Sequence, residues 1–190
     1  LGDVYKRQNN ASIIVTGSID LTGTRLPELP RFGMRMELQH PYENLTYYGR
    51  GPFENYIDRY SSSFIGRYND KVENQFYWYI RPQETGNKTD VRWLSLLDNE
   101  GQGVKITGLQ PIAFSALHFS PEDLDPGLTR KLQHTIDIVP QKNIFLHIDL
   151  KQRGLGGDNS WGMYPHNKYR LLDKKYVYSY MIELIEKSSD

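Results

Sequence analysis

The sequence predicts an all-β protein built as one large antiparallel sandwich. Short stretches in which apolar and polar residues alternate recur along most of the chain, as they do in half-buried strands. Only one short helix signal is present, and there is no βαβ alternation and no internal repeat. A length of 190 residues suits one large β domain. We therefore expect a single sandwich domain over residues 11–190.

The chain begins with a segment that shows no periodicity. Residues 1–10 mix charges with polar groups, so we expect a poorly ordered lead-in or one foreign to the native protein. Alternation starts with residues 13–21 and is cleanest in residues 32–38, where Met34 and Met36 face inward and Arg35 faces outward. Both stretches are predicted strands.

Further strand-like runs follow at intervals along the chain. They cover residues 45–48, 63–68, 76–80, 91–97, 103–107, 112–119, 134–139, 144–150 and 176–185, which gives about ten or eleven strands in all. The one predicted helix is a short connector. Ser120 is placed to cap it, Pro121 suits its first position, and Asp123 can reach back as the capping acid.

Composition narrows the range of partners. Lysine and arginine number 23 against 23 aspartates and glutamates, so no overall field favours nucleic acid or an anionic membrane, and we expect neither as a partner. The absence of cysteine excludes disulfides and thiolate sites but leaves cytoplasm and periplasm both open. The five histidines show no metal-ligand spacing, and no nucleotide-binding or nucleophile motif is present. We expect no metal and no cofactor.

The glycine-rich loop of residues 154–162 is the leading candidate for a functional site. Its glycines permit unusual backbone conformations, while Asp158, Asn159 and Ser160 can fold their side chains back onto neighbouring amides. Such a loop can hold Trp161 still at a surface, where its face suits the C–H face of a sugar ring. The alternative is a tryptophan buried beneath a tight turn, since tryptophan side chains are highly buried on average.

Two other segments concentrate polar groups, residues 49–59 and residues 81–93. Each reads first as a loop or hairpin locked by pairs of arginine and carboxylate groups, since such networks are common without catalysis. A groove formed with the Trp161 loop is the functional alternative. The charged residues that would support it are Glu54, Asp58 and Arg59 in the first segment and Glu84, Asp90 and Arg92 in the second.

Three motifs together carry a family resemblance. They read Gly-Arg-Gly-Pro-Phe-Glu-Asn-Tyr-Ile-Asp-Arg at 49–59, Arg-Pro-Gln-Glu-Thr-Gly-Asn-Lys-Thr-Asp-Val-Arg-Trp at 81–93, and Gly-Gly-Asp-Asn-Ser-Trp-Gly at 156–162. In this order they closely resemble the C-terminal domain of bacterial β-galactosidases of glycoside hydrolase family 2, from about residue 26 to residue 186. The resemblance implies a many-stranded antiparallel supersandwich related to galactose mutarotases.

The resemblance also implies a role for Trp161. In that family the corresponding tryptophan reaches into an active site formed mainly by a separate barrel domain, so the expected partners are that domain and a galactoside. The two catalytic glutamates of the retaining mechanism belong to the barrel, and nothing in this sequence matches them. We expect a chain that is noncatalytic alone. The family domain also begins with a tryptophan-rich stretch absent here, which predicts an exposed sheet edge able to self-associate.

Two rival functions remain open at this point. One is a free-standing aldose epimerase of mutarotase type, which needs a histidine and a carboxylate in one groove. Its candidates are His118, His147, Glu84 and Asp90, and their spacing alone does not bring them together. The other rival is a purely structural or oligomerisation module with Trp161 in its core. The exposure of Trp161 separates this last reading from the first.

Overall fold

The computed structural model describes residues 2–7, 12–125, 127–129, 133–159 and 161–186. Within these ranges the chain forms nine strands, one α-helix and four short 3-10 helices. The strands are β1 Gly2–Arg7, β2 Ser12–Asp20, β3 Arg31–Leu38, β4 Asn44–Gly51, β5 Phe64–Lys71, β6 Lys88–Leu97, β7 Gly103–Leu117, β8 Ile144–Gln152 and β9 Lys175–Ile185. The α-helix, α1, is Pro121–Leu124, and the 3-10 helices are Val72–Gln75, Gly127–Thr129, Thr135–Asp137 and Asn167–Tyr169.

All the strand pairs are antiparallel, and β7 connects two layers. One layer runs in the order β1-β2-β9-β7-β6-β4-β5, while β8 pairs with β7 and β3 pairs with β8. The 15-residue β7 uses residues 103–108 to pair with β9 and residues 113–117 to pair with β8. The all-β antiparallel sandwich expected from the sequence is confirmed.

The main core is formed by apolar side chains of β2, β3, β4, β6, β7, β8 and β9. Phe32 of β3 packs its ring against Tyr176 and Tyr178, with centroids 5.7 and 5.5 Å apart. Tyr178 also donates a hydrogen bond of 2.9 Å to the carbonyl of Ile148, which joins β9 to β8 across the core. Tyrosine is used here because its ring fills apolar space while its hydroxyl finds a partner.

Two predicted strands are absent. Residues 76–80 form irregular backbone, and residues 134–139 contain the 3-10 helix Thr135–Asp137 instead of a strand. Phe76 packs into a small second core with Phe119, at 4.3 Å between centroids, while Trp78 and Ile80 are exposed. Both segments have strand-like composition, but within the described residues no strand lies beside either of them to pair with it, so these two predictions were wrong.

The short helix forms as predicted. The hydroxyl of Ser120 accepts from the backbone N–H of Asp123, and the Asp123 carboxylate accepts from the backbone N–H of Ser120, which is a complete capping box. At the N-terminus, where the sequence suggested a poorly packed lead-in, Gly2–Arg7 forms β1 and pairs with β2. None of the described helices is long and apolar enough to cross a membrane.

Candidate functional site

The Trp161 loop is closed at its base. The backbone N–H of Gly154, where the loop begins, donates to the carbonyl of Tyr169 at 2.8 Å, so the segment 154–169 that contains the loop is closed at its base. Just outside this segment, Arg153 and Arg170 converge on the buried carboxylate of Glu28 at 2.9 and 2.5 Å. A long surface segment whose ends are held together behaves as a compact Ω-loop.

Electrostatics and stacking strengthen this base. Burial by itself would raise the pKa of Glu28, but hydrogen bonds and charge attraction from Arg170 and Arg153 outweigh it and hold that pKa below its usual value. The ring of Tyr164 lies 5.4 Å from the guanidinium of Arg153 and 4.7 Å from that of Arg170. The loop is therefore clamped by two arginines that share one carboxylate and one aromatic ring.

The tip of the loop presents Trp161 to solvent. Its side chain is 91% exposed, so Trp161 is not part of the core. Its backbone N–H donates to Oδ1 of Asn159 at 2.8 Å, which is the turn-forming role that the sequence suggested for this asparagine. Asp158 pairs with Nε2 of His166 at 2.9 Å, at an exposed position. Ser160, the fourth predicted contact, lies outside the described residues.

Asp58 joins the first polar segment to the Trp161 loop. Its Oδ2 accepts a 2.8 Å hydrogen bond from the backbone N–H of Gly156. A Cβ on Gly154 would lie only 2.6 Å from Cγ of Asp58, so the backbone there comes as close to the carboxylate as a glycine allows. The loop rests directly on Asp58.

Glu54 joins the same segment to residues 81–93. One oxygen accepts from Arg59 at 2.6 Å and from the hydroxyl of Tyr79, and the other accepts from Gly86 N–H at 2.7 Å and from the Thr85 hydroxyl at 3.0 Å. The arginine pair predicted for Glu54 is present, whereas Asp58, for which an arginine partner was also predicted, accepts from the backbone N–H of Gly156 instead. The three polar segments thus form one connected cluster, with residues 54–59 in the middle.

Two further predicted residues of the segment 81–93, Asp90 and Arg92, contact partners other than Glu54. Asp90 forms an ion pair of 2.5 Å with Arg50, and Arg92 donates to the backbone carbonyl of Asp90. The guanidinium of Arg92 lies 5.9 Å from the ring centre of Tyr48. These contacts join Asp90 to the first polar segment and place Arg92 against β4, so the ion pair is not internal to a hairpin of residues 81–93.

Glu84 belongs instead to a second cluster around Arg31. The guanidinium of Arg31 reaches Oε1 of Glu84 at 2.9 Å, Nδ1 of His147 at 2.9 Å and Oε1 of Gln152 at 2.6 Å. Its Nε also lies 3.1 Å from Oδ2 of the fully buried Asp149. One arginine therefore gathers three ionisable groups on adjacent strands and the turn before β6.

Burial governs the ionisation of this cluster. It raises the pKa of Asp149 to about 7 against the opposing attraction of Arg31, and it raises the pKa of Glu84. It lowers the pKa of His147 to about 4, with the charge of Arg31 acting in the same direction. Because a guanidinium can only donate, Nδ1 of His147 must accept and the ring proton lies on Nε2.

Sequence patterns did not reveal Arg31, Asp149 or Glu28. Asp149 sits in an apolar strand, where alternation gives no sign that its partner is on β3. Glu28 lies between Pro27 and Pro30, in a segment with no strand or helix pattern. His118, another epimerase candidate, is elsewhere and pairs with Glu43 at 3.0 Å. Among the described residues no group of three or more histidine and acidic side chains is placed to hold a metal ion.

Comparisons with known proteins agree on one kind of relative. A family model described as β-galactosidase small chain matches residues 4–182. A β-galactosidase of Priestia megaterium is 35% identical over 167 residues, which is 88% of this chain and 16% of the relative. One of Streptococcus thermophilus is 32% identical over 181 residues, or 94% and 17%, and β-galactosidase BgaC of Bifidobacterium adolescentis is 36% identical over 149 residues, or 77% and 14%. The chain spans 14–17% of the length of these relatives.

Proposed function

The chain belongs to the β-galactosidase small-chain family, and on that premise we propose that it is a noncatalytic, carbohydrate-contacting domain of a larger enzyme that hydrolyses terminal β-D-galactosides. In this proposal a separate barrel domain supplies the catalytic carboxylates. The present chain supplies Trp161 as an aromatic platform beside them, with Asp158, Asn159 and Ser160 as neighbouring sugar contacts.

The observation that carries the proposal is an exposed tryptophan on a closed loop. An indole that is 91% exposed offers its apolar face to a ligand. The loop beneath it is fixed by Glu28 at its base and by Asp58 under its glycines. A loop that is fixed in this way below an exposed side chain supports a binding role, since a fixed aromatic face loses little entropy when a ligand stacks on it.

The domain would act by positioning. A sugar ring that stacks on Trp161 would be held in one orientation relative to groups on the neighbouring domain, and water would be excluded from one of its faces. Holding a substrate in a reactive geometry accounts for a large part of enzymatic rate enhancement. Retaining hydrolysis itself requires two carboxyl groups about 5 Å apart on either side of the glycosidic bond, and the proposal assigns both to the barrel.

Substitution of Trp161 in the enzyme that contains this domain tests the platform. We expect Trp161→Leu to raise KM for a galactoside at least tenfold, which corresponds to about 1.4 kcal/mol of lost binding. Trp161→Phe keeps a smaller aromatic face and should raise KM less. Both variants should melt within 1–2 °C of the wild type, roughly as for other exposed substitutions. A large fall in melting temperature with an unchanged KM would show that the residue is structural.

A separate experiment tests the noncatalytic assignment. The purified chain should not release chromophore from a nitrophenyl β-galactoside. Turnover that disappears when one of the chain's own carboxylates is replaced, for example in Glu84→Gln, would contradict the assignment. The exposed Glu122→Gln serves as the matched control for loss of one carboxylate.

A mutarotase-type epimerase is the second candidate, favoured by one observation. Glu84 and His147 converge on Arg31 and line the same cleft of about 250 Å³. In mutarotation a base removes the proton of the anomeric hydroxyl while an acid protonates the ring oxygen, the bond between C1 and the ring oxygen breaks, and the ring recloses on the other face. The candidate ranks second because the basic Nδ1 of His147 is occupied by Arg31, so the imidazole has no free lone pair.

Polarimetry decides this second candidate. Freshly dissolved α-D-galactose should equilibrate at its spontaneous rate in the presence of the chain if the first proposal is correct. Acceleration that is lost in His147→Gln, and retained in His166→Gln on the exposed loop, would establish the epimerase instead.

A further inference from the structure

A cavity of about 290 Å³ lies beside the base of the Trp161 loop. Lys168 and Arg170 line it from the segment that follows the loop, and Tyr169 between them accepts the hydrogen bond that closes this segment. Lys151 in β8 and Asp90 in β6 line the cavity from the sheet. Four of these five side chains carry a charge, so the cavity is strongly polar.

This cavity adjoins another one of about 320 Å³. Ile57, Thr89, Asp90 and Lys151 line both cavities, so we describe the two together as one groove. The groove reaches the size range of small-molecule sites, about 300 to 1,000 Å³. Trp161 lines neither part, so a ligand in the groove leaves the proposed aromatic platform unoccupied.

The cations around the groove outnumber the carboxylates that could neutralise them. Arg170 shares the carboxylate of Glu28 with Arg153, so one negative charge serves two guanidinium groups. Asp90, the acidic residue that lines the groove, forms its ion pair with Arg50. Neither carboxylate is therefore left to neutralise a further cation.

Lys151 and Lys168 are two such further cations, and both are exposed. In the part of the chain that the structure describes, the lysines that form ion pairs are Lys71, Lys105 and Lys175, and neither lysine of the groove is among them. Because clefts lined by charges of one sign concentrate the opposite charge from solution, the groove favours an anionic ligand.

The two lysines are placed to act on one ligand. They line the same small cavity, and a lysine carries its charge at the end of a flexible four-carbon stem. Nζ of Lys168 lies 4.7 Å from the ring centre of Tyr169, which also lines this cavity. The ammonium group of Lys168 is therefore held at the cavity wall, and the exposed Lys151 can turn towards the same ligand.

Asp90 adds a hydrogen-bond acceptor where the two cavities adjoin. Its backbone has a φ of 53°, in the left-handed region, at a point where the pairing of β6 with β7 changes register. Non-glycine residues in this region are uncommon and concentrate at functional sites. The Asp90 side chain is 41% exposed, Arg50 engages its Oδ2, and Oδ1 has no partner among the described residues. Oδ1 is therefore open to a hydroxyl group of a ligand.

We propose that the groove binds an acidic saccharide, whose carboxylate or phosphate group is bound by Lys151 and Lys168 and whose ring hydroxyl donates to Asp90. The anionic group follows from the charges around the groove alone. The choice of a sugar as its carrier rests on the proposed function. Because Trp161 lies outside the groove, the platform and this site can fail separately.

Titrations of the chain at low salt, followed by amide chemical shifts in NMR, test the ligand class. The probes are galactose 6-phosphate, galactose and inorganic phosphate. We expect galactose 6-phosphate to shift the amide signals of Asp90, Lys151 and Lys168 and to bind roughly tenfold more tightly than either other probe. Equal binding of galactose would mean that the lysines take no part, and equal binding of inorganic phosphate would mean a site for any anion. Either result, or no binding at all, overturns the proposal.

A fourth probe, galacturonate, identifies the anionic group. It carries a carboxylate on the same sugar ring and should also bind more tightly than galactose. Tighter binding of galacturonate than of galactose 6-phosphate assigns the site to uronic acids, and the reverse order assigns it to phosphate esters. Both orders support an acidic saccharide, whereas binding of both acidic sugars no tighter than that of galactose overturns it.

Four variants locate the site. Lys151→Gln and Lys168→Gln should each weaken galactose 6-phosphate roughly three- to fivefold, as for loss of one exposed charge pair. Lys142→Gln changes an exposed lysine at a different cavity and should leave the affinity unchanged, as should Trp161→Leu. Wild-type affinity in both groove variants, or an equal loss in Lys142→Gln or Trp161→Leu, would place binding elsewhere and overturn the assignment.

Discussion

At the scale of single residues, the burial of the groups around Arg31 sets how the stability of the protein responds to pH. The pKa of Asp149 is raised to about 7, so this group stabilises the fold most at low pH, and that contribution is lost as pH rises through 7. Glu84, whose pKa is also raised, acts in the same direction. His147 acts in the opposite direction: its pKa is lowered to about 4, so its contribution is present above the unfolded value and is lost as pH falls towards 4.

Replacing Asp149 should reveal how much of the pH dependence of stability comes from its carboxyl group. Between about pH 4 and 7 the Asp149 carboxyl lowers the stability of the wild type by up to about 1.4 kcal/mol per pH unit, and Asp149→Asn removes that dependence. We expect the variant to gain about 2 kcal/mol relative to wild type between pH 5 and pH 8, measured by urea unfolding. The exposed Asp173→Asn is the control and should follow the wild type at both pH values. A constant difference between Asp149→Asn and wild type would contradict the assigned titration.

Glu28 gives a second prediction at this scale. Glu28→Gln removes a buried charge that two arginines share and should destabilise the fold by about 1–3 kcal/mol. This loss is smaller than for a fully buried ion pair because both arginines are partly exposed. The same change at Glu122, whose pair with Arg35 is exposed, should cost about 0–1 kcal/mol. The two melting temperatures provide the measurement. Similar losses in both variants would mean that Glu28 does not anchor the loop.

At the scale of elements, secondary structure was predicted correctly where it depends on residues close together in the sequence. The capping box around Ser120 and the alternation of β3 depend on residues within a few positions, and both formed as expected. Residues 76–80 are a run of aromatic and apolar residues with strand-like composition, but a strand also needs a neighbour, and pairing partners are not encoded nearby. The same limit applied to the site. The loop of Trp161 was visible as a motif, whereas the seat on Asp58 and the gathering of charges by Arg31 depend on contacts across 50 residues or more of chain.

The seat of the loop can be tested with two glycines. Gly154→Ala would place a Cβ 2.6 Å from Cγ of Asp58 and must push the loop away, whereas Gly156→Ala meets the same carboxylate only at an ordinary 3.5 Å. We expect Gly154→Ala to lower the melting temperature by several degrees, roughly 1–3 kcal/mol for an overpacked site, and Gly156→Ala to stay near wild type. Equal effects of the two changes would show that Asp58 is not a close support for the loop.

At the scale of the whole molecule, the edges of the sheet matter most for association. β5 ends the larger layer, and Phe64 and Ile65 on it are exposed. An unpaired strand edge with apolar side chains readily pairs with another chain. Exposed apolar residues also occur away from any edge, as at Ile136 in a 3-10 helix. Substitutions at these two kinds of exposed residue distinguish edge pairing from non-specific hydrophobic association.

We expect the isolated chain to self-associate at high concentration through β5. Phe64→Lys places a charge on the edge and should shift the association constant at least tenfold towards monomer in sedimentation experiments. Ile136→Lys removes a comparably exposed apolar side chain off the edge and should have little effect. A chain that stays monomeric at millimolar concentration, or that responds equally to both substitutions, would contradict edge pairing.

The sharing of β7 between the two layers has a consequence for how the molecule comes apart. One continuous strand pairs with β9 through residues 103–108 and with β8 through residues 113–117. Separating either layer from β7 therefore also removes pairing that supports the other layer. The two layers therefore cannot melt as independent blocks. Amides of β8 and β9, which pair with different ends of this shared strand, should exchange with deuterium only through one common global opening. A protease that cuts β7 near its midpoint should dismantle the entire protein.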